Sequence, residues 1–414
     1  MSEHGSSPAD HVSIVVLHTL WGIPEGGGIG GGTYHHIALS NVWVRQGAEV
    51  FWLVTNQDTR LQEFIGAANV VRVPAVPGSI VAGTAHNIVG MLLNHLLQRS
   101  SIRRFARQTL TRGRTVVVST SGYLPDALGA IYLGRQTSSP VVVHFHHLAR
   151  PPWWFPVKRG SLMRTVGNWL TGTIVLSLVK IAGCAVSLDQ PRELMELGWK
   201  FHGTVLPDDA FLIEPCNSPS TLSEDRTNDA CFVGGLAKRK GVFDLVRAWA
   251  LVTQTHPNSH LTIAGKPESA RTLTQLRALI DRLGISSNVA VLGYLSDDEK
   301  STLLNESLLF VYPSYEEGWS LAVMEAATHG TVPVTYELPA YDYLGPLAVK
   351  VPVGRVRQLA EAVSKLLDSN ELRERIVADL KLRIARYDYV TISKEQFGAL
   401  LALSRSSSIA RASS

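Results

Sequence analysis

Cysteine is scarce in this chain: among 414 residues only Cys184, Cys216 and Cys231 occur, far apart and with no C-x-x-C pair. That excludes a disulfide framework and a cysteine-built structural zinc site, and it fits a reducing compartment. A strong excess of one charge is also missing. The net charge of +4 and a pI near 8.9 are mildly basic, not the footprint of a nucleic-acid binder. Long hydrophobic runs are absent as well. Residues 165–179 are uncharged but reach only about three-quarters of a bilayer span, and residues 73–98 are broken by Pro, His, Asn and Gln. No basic segment precedes the first apolar stretch, so no signal peptide is expected and a cytoplasmic location is.

What remains is the composition of a globular protein, 45% hydrophobic and 18% charged, with a mean hydropathy of +0.09. The length favours two domains, each able to bury its own core. Short β-branched runs alternate with helix-length amphipathic segments. Strands are expected at Val12–Leu17, Val50–Thr55, Thr115–Ser119, Pro140–His144 and Ala182–Ser187. A second series follows at Ala230–Val233, His260–Ala264, Asn288–Leu292, Leu308–Tyr312 and Val332–Thr335. They lack strict alternation, so both faces of each sheet are covered, as in parallel sheets flanked by helices. Between them, Val242, Leu245, Val246, Trp249 and Val252 recur at helical spacing. The polar, turn-rich stretch 215–229 reads as a linker between a domain over 1–214 and another over 230–388, both doubly wound and Rossmann-like. The last residues, 405–414, are low in complexity and read as a disordered tail.

Four stretches carry residues suited to chemistry. In YEEGWSLAVMEAATHGTVPVTY, residues 315–336, a strand leads through Glu317 and Gly318–Trp319–Ser320 into an apolar helix that holds Glu325 and ends near Gly330. That composition predicts a buried helix, where an unpartnered carboxylate would cost several kcal/mol or be forced neutral. A basic side chain or a ligand's hydroxyls must therefore meet Glu325. The backbone N–H groups of Gly318, Trp319, Ser320 and Leu321 make an anion site at the helix N-terminus. An anion with hydroxyls reaching Glu325 and Glu317 describes a phosphorylated sugar; a capping Glu317 and a salt-bridged Glu325 is the plainer alternative. In FVGGLAKRKG, residues 232–241, a strand ends at Gly234–Gly235 and a loop places Lys238, Arg239 and Lys240 at the sheet's ligand edge. A solvated basic loop is the alternative.

Residues 24–54 open with two glycine triplets before a helix. Gly26, Gly28 and Gly31 fit a lone G-x-G-x-x-G, but it begins too late after the first strand for the tight dinucleotide turn. The loop still lets a phosphate or sugar approach the backbone. In VVVHFHHLARPPWWFP, residues 141–156, His144, His146 and His147 end a buried strand. No carboxylate or cysteine lies at ligand spacing, so a histidine that hydrogen-bonds substrate is expected and a metal site is not.

Together these motifs resemble retaining glycosyltransferases of the GT-B fold, in the broad family 4 (glycosyl transferases group 1). Glu317 and Glu325 match the family's E-x7-E signature, and FVGGLAKRKG is similar to its phosphate loop, with Lys240 on the diphosphate-binding lysine. VLGYLSDDEK looks like the segment that borders the nucleotide base, around Tyr294. Gly30, Gly31 and Gly32 fall on the glycines near donor phosphate and acceptor, and His146 on the active-site histidine. The chain departs at Gly235, where an arginine is usual, and at Ser320, where glycine is common. The likeness is strongest over 230–345.

By this resemblance the two domains enclose a cleft, with a helix over 389–404 crossing back to the first. The donor would be a nucleotide diphosphate sugar, gripped by Gly234, Gly235, Arg239, Lys240, Tyr294, Gly318–Leu321 and Glu325. The acceptor would be a glycan or lipid-linked hydroxyl. His146, Glu317 and Lys240 would serve catalysis. No cofactor is expected, nor a metal, since no D-x-D motif occurs. Nucleic acid is not an expected partner. Residues 98–114 hold six arginines and no acid, after an apolar stretch at Ile88–Leu97. Such a segment suits the inner face of an anionic membrane, as does Trp153–Trp154–Phe155 as an anchor; a solvated helix and a buried aromatic turn are the alternatives. A nucleotide-sugar epimerase on the same fold and a non-catalytic bilobal sugar-binding protein remain open as other functions. An NAD-dependent dehydrogenase rests on the glycine pattern alone.

Overall fold

The structure is a computed structural model that describes residues 12–19, 31–55, 58, 60–74, 88–110, 114–146, 162–188, 205–207 and 226–412. The chain divides into two units. One is Met1–Leu212 with Tyr389–Ser414; the other is Ile213–Asp388.

The first unit holds β1 (Val12–His18), α1 (Gly31–Arg45), β2 (Glu49–Thr55), β3 (Asn69–Val73), α2 (Ile88–Thr109), β4 (Arg114–Ser119), α3 (Leu124–Thr137), β5 (Val141–Phe145), α4 (Leu162–Ile181), β6 (Ala185–Leu188) and β7 (Val205–Pro207). All strand pairs are parallel, in the order β3-β2-β1-β4-β5-β6-β7. β1 shows why its run lacks alternation. Val15 and Leu17 enter one core with Phe51, Ile102 and Val117, while Ile14 and Val16 enter another with Trp43, Trp52 and Val116. With both faces buried, the run Ile14–Leu17 is apolar at every position.

In the second unit, β8 (Asn228–Val233), α5 (Val242–Thr255), β9 (Leu261–Ala264), α6 (Ala270–Arg282), β10 (Val289–Val291), α7 (Asp297–Glu306), β11 (Ser307–Tyr312), α8 (Leu321–Thr328), β12 (Val332–Tyr336) and β13 (Val349–Val351) build a six-stranded sheet ordered β10-β9-β8-β11-β12-β13. Helices α9 (Val356–Leu367) and α10 (Asn370–Ile384) complete it. On α5 the residues at helical spacing, Val242, Leu245, Val246, Trp249 and Val252, are all fully buried. Each expected strand is present. Three more were not anticipated, β3, β7 and β13, all at or beside a sheet edge.

α11 (Tyr389–Ala412) packs on α1 and β4, and its Phe397 and Leu400 join the core that holds Trp43 and Trp52. The helix continues through residues 405–412, which were expected in a disordered tail. Arginine and alanine there are good helix formers and extend the preceding turns. In both units the strand order reverses at the centre, between β1 and β4 and between β8 and β11. At such reversals the loops leaving the strands' C-terminal ends part and form a crevice.

Candidate donor and histidine sites

At the reversal in the second sheet, β8 runs into Gly234. The Gly234 N–H donates to the Ala264 carbonyl (3.0 Å) and the Leu236 N–H to that of Lys266 (2.9 Å), which pins the loop beside β9. Lys238–Lys240 form one 3-10 turn, and Gly241 closes it at φ +74° before α5. A Cβ at Gly241 would stand 1.8 Å from the Pro313 carbonyl oxygen, so only glycine fits the crossing of the two loops. From the other side the Tyr315 N–H donates to the Arg239 carbonyl at 2.9 Å. The two arms of the reversal are thus sewn together through their backbones.

This brings Lys240 and Glu317 into one ion pair, Nζ to Oε1 at 2.5 Å, with side chains only 16% and 7% exposed. Around it lie aromatic rings. The Lys240 ammonium stands 5.8 Å from the Tyr312 ring centre. Burial, and then the Glu317 charge, hold the Tyr312 and Tyr343 phenols well above the usual tyrosine range, so they stay neutral beside a carboxylate. Trp319 stacks on Tyr343 at 4.6 Å. Gly235 differs from Gly241: a Cβ there meets nothing within 4 Å.

Ser320 is the N-cap of α8 but makes no side-chain cap bond, so the helix's first turn is not closed by its own cap. The helix is not buried all round, which corrects the expectation from its composition. Val323, Met324, Ala326 and Ala327 face the core, while Leu321, Ala322, Glu325 and Thr328 form a half-exposed stripe. Alanine and threonine tolerate either environment, which is why composition alone misplaced this face. Glu325 is 33% exposed and pairs with Lys300 Nζ at 2.7 Å. Burial pulls the Lys300 ammonium down, but Glu325 and Asp297 more than offset it, and the net shift is upward. Lys300 was missed by sequence reasoning because α7 lies far from α8 in sequence; its spacing from Asp297 was the one local signal. Tyr294 is exposed; the carbonyl of its neighbour Gly293 accepts from the Gly265 N–H at 2.9 Å, and Gly265 lies against Gly234. The loops after β8, β9 and β10 therefore line one edge.

In the first unit, His146 follows β5, and Gly32 sits in the first turn of α1. A Cβ on Gly32 would stand 2.2 Å from His146 Nε2, so the glycine leaves room for that ring. Gly31 opens α1. Gly30, His147, Trp153, Trp154 and Phe155 lie outside the described residues. Sequence reasoning missed that His146 is one of four gathered histidines. His144, His35 and His36 join it, with ring centres 4.3 to 6.2 Å apart. Burial, and then the neighbours His144, His35 and His146, push His36 well below the usual histidine range. Among the described residues no group of histidine, cysteine or acidic side chains is arranged to hold a metal ion. A cavity of about 20 Å³ touches His36, His144, Ser187 and Gln396, room for about one water. At the reversal itself, Asp126 is fully buried and accepts from the Thr19 N–H (2.7 Å), the Thr19 hydroxyl (2.8 Å) and the Ser121 hydroxyl (2.6 Å). Burial pushes the thiols up, Cys184 to about 11 and Cys231 to about 12, so neither is a nucleophile near neutral pH.

Residues 216–382 match the family model for glycosyl transferases group 1. A glycogen synthase of Mycobacterium tuberculosis is 27% identical over 327 residues, covering 76% of this chain and 75% of that protein. A phosphatidyl-myo-inositol mannosyltransferase of Mycobacterium leprae is 23% identical over 272 residues, 61% of this chain and 71% of its own. In structure, Anabaena Alr3699/HepE in complex with UDP and glucose superposes with a TM-score of 0.71 at 16% identity, covering 94% of this chain and 99% of that one. That likeness shows the GT-B fold.

Proposed function

For a chain whose residues 216–382 match the glycosyl transferases group 1 and that has the GT-B fold, we propose retaining transfer of a hexose-type sugar from a nucleotide diphosphate sugar to a hydroxyl acceptor. The observation that carries this reading is the Lys240–Glu317 pair at the reversal of the second sheet, beside the uncapped N-terminus of α8. Lys240 and the N–H groups at the start of α8 stabilise the diphosphate as its charge develops. Arg239 adds charge at the rim, and Gly234 and Gly235 let the phosphates approach the backbone. Glu325 accepts hydrogen bonds from the ribose hydroxyls, and Tyr294 borders the base. Glu317 holds sugar hydroxyls, and the ion pair with Lys240 keeps its carboxylate in place.

In the reaction the anomeric C–O bond breaks and its electron pair leaves on the diphosphate oxygen. The acceptor oxygen bonds to the same carbon on the same face, and its proton passes to the departing diphosphate. His146, over Gly32, contacts the sugar on the acceptor side. The cationic groups meet the diphosphate's charge without a divalent ion, so turnover persists in excess chelator. The relative that acts on phosphatidyl-myo-inositol and the structural neighbour in complex with UDP and glucose guide the choice of probes. A thermal-shift screen of nucleotide sugars tests the reading. It predicts stabilisation by at least one of them that is lost in Lys240→Ala; stabilisation by NAD alone would overturn it.

The acceptor side also presents a surface for lipid. On α2, Leu92, Leu93, Leu96 and Leu97 are 41% to 56% exposed, and the exposed Arg103, Arg104 and Arg107 continue the same face. Such a face lies on an anionic bilayer, with leucines in the acyl boundary and arginines among headgroups. No described helix is long and apolar enough to cross a membrane. Co-sedimentation with phosphatidylglycerol vesicles should fall when Leu93 and Leu96 become serine. Equal pelleting of that variant would remove the lipid from the proposal.

A further inference from the structure

His146 does not stand alone at the end of β5. Its Nδ1 lies 3.0 Å from Nε2 of His144, and Nδ1 of His144 lies 3.2 Å from the Ser187 hydroxyl. The sequence builds this line from the sheet. His144 and Ser187 are direct partners in the β5–β6 register, so their side chains leave the same face. His146, two residues on, keeps to that face. His144 is 1% exposed and Ser187 5%, so bulk water does not compete for these bonds.

A neutral imidazole has one donor and one acceptor nitrogen. Only two proton arrangements therefore satisfy the line. In one, the Ser187 hydroxyl donates to His144, the His144 Nε2–H donates to His146, and His146 carries its own proton on Nε2. In the other, the His146 Nδ1–H donates to His144, the His144 Nδ1–H donates to Ser187, and His146 Nε2 is an acceptor. In either case the nitrogen above Gly32 has a set character, and the ring plane is fixed from behind. Without His144, this proton arrangement would no longer be imposed on His146 from behind.

We propose that His144, backed by Ser187, is a positioning residue that fixes the ring orientation and tautomer of His146 for its contact with the sugar. This rests on the reading of His146 as a sugar contact, but the line of hydrogen bonds can be tested apart from it. In protein labelled with ¹⁵N-histidine, two-bond ¹H–¹⁵N spectra report each ring's tautomer. The His146 signals are assigned by their loss in His146→Ala.

The expected result is one tautomer for His146 in the unmodified chain, and averaged nitrogen shifts for it in His144→Phe, which keeps a ring but no nitrogen. Turnover of UDP-glucose should fall about tenfold to a hundredfold in that variant with KM unchanged. Ser187→Ala should fall less, and Ser187→Thr, which keeps the hydroxyl, should regain the original rate. Unchanged His146 shifts in a folded His144→Phe would overturn the proposal, even where His146→Ala abolishes turnover. If His146→Ala turns over normally, the sugar contact itself fails, and the spectra still decide the relay. Should His144→Phe not fold, the Ser187→Ala and Ser187→Thr pair decides it: equal shifts and equal rates in both would overturn it.

Discussion

At the reversal of the second sheet, charge meets charge: Lys240 pairs with Glu317, and Lys300 pairs with Glu325 on the helix that follows. In the first unit the corresponding edge is held by hydroxyls around a buried Asp126, and the group next to it is a set of close histidines. The same winding thus supports two kinds of site. Mobile opposite charges suit a ligand that brings its own charge and can take over one partner. Hydrogen-bonded rings in a line suit a contact whose geometry matters more than its charge. On this account the second unit binds the diphosphate and the first unit shapes the reacting sugar and acceptor.

The largest expected effects separate these two roles. Lys240→Ala should weaken UDP binding by one to two orders of magnitude, about 1.5–3 kcal/mol for a charge-assisted contact. His146→Ala should leave that affinity unchanged and lower turnover by about a hundredfold. Calorimetry together with steady-state rates would break the comparison if both variants lost affinity alike.

Backbone demands differ within the second unit in the same way. Gly241→Ala forces a side chain into a left-handed turn 1.8 Å from a carbonyl oxygen and should cost about 3 kcal/mol in chemical denaturation. Gly235→Ala, in open space, should change stability by no more than about 0.5 kcal/mol. Gly235→Arg should fold normally and tighten UDP binding, because it adds a cation at the phosphate loop. Looser binding would mean that this space is not where phosphate lies.

Acid should distinguish the units next. Burial first, and then its histidine neighbours, lowers His36; burial lowers His18 despite Asp126 and Asp58, and burial and Arg99 lower His95. A histidine lowered in the folded state binds fewer protons than in the unfolded chain. Stability is therefore present above the unfolded value near about 6.5 and lost as pH falls from there towards the folded value. In the second unit His329 is lowered by burial, Lys300 and Arg226. Hydrogen exchange at pH 5.5 against pH 7.5 should show the first unit losing protection more. Uniform loss would argue against the lowered values of His36, His18 and His95. A modest effect, about 0.5–1 kcal/mol, is expected of Lys300→Ala, because its pair with Glu325 is partly exposed.

The fold was legible wherever burial is two-sided: ten short runs without strict alternation became strands, and the period of α5 became a buried stripe. β3 contains Asn69 and Arg72, and β7 and β13 are three residues long, so these edge strands carry too few buried positions to write a pattern. The candidate site was legible as far as it is local: Gly234, Gly235, Lys240, Glu317 and Glu325 lie within two short stretches, and folding pairs Lys240 with Glu317. What joins distant segments was not legible. Lys300 beside Glu325, the phenols beside Glu317, and His144 paired with Ser187 depend on register between strands or helices that a single sequence does not state. The misjudged face of α8 has a related cause: an alanine-rich helix hides which of its sides is packed.

A crystal structure with UDP bound would decide whether Lys240 and α8 hold the diphosphate. A diphosphate oxygen should lie within hydrogen-bonding distance of Lys240 Nζ and of the first N–H groups of α8, with the ribose on Glu325. Nucleotide bound elsewhere, or bound there while Lys240 makes no contact with phosphate, would contradict it.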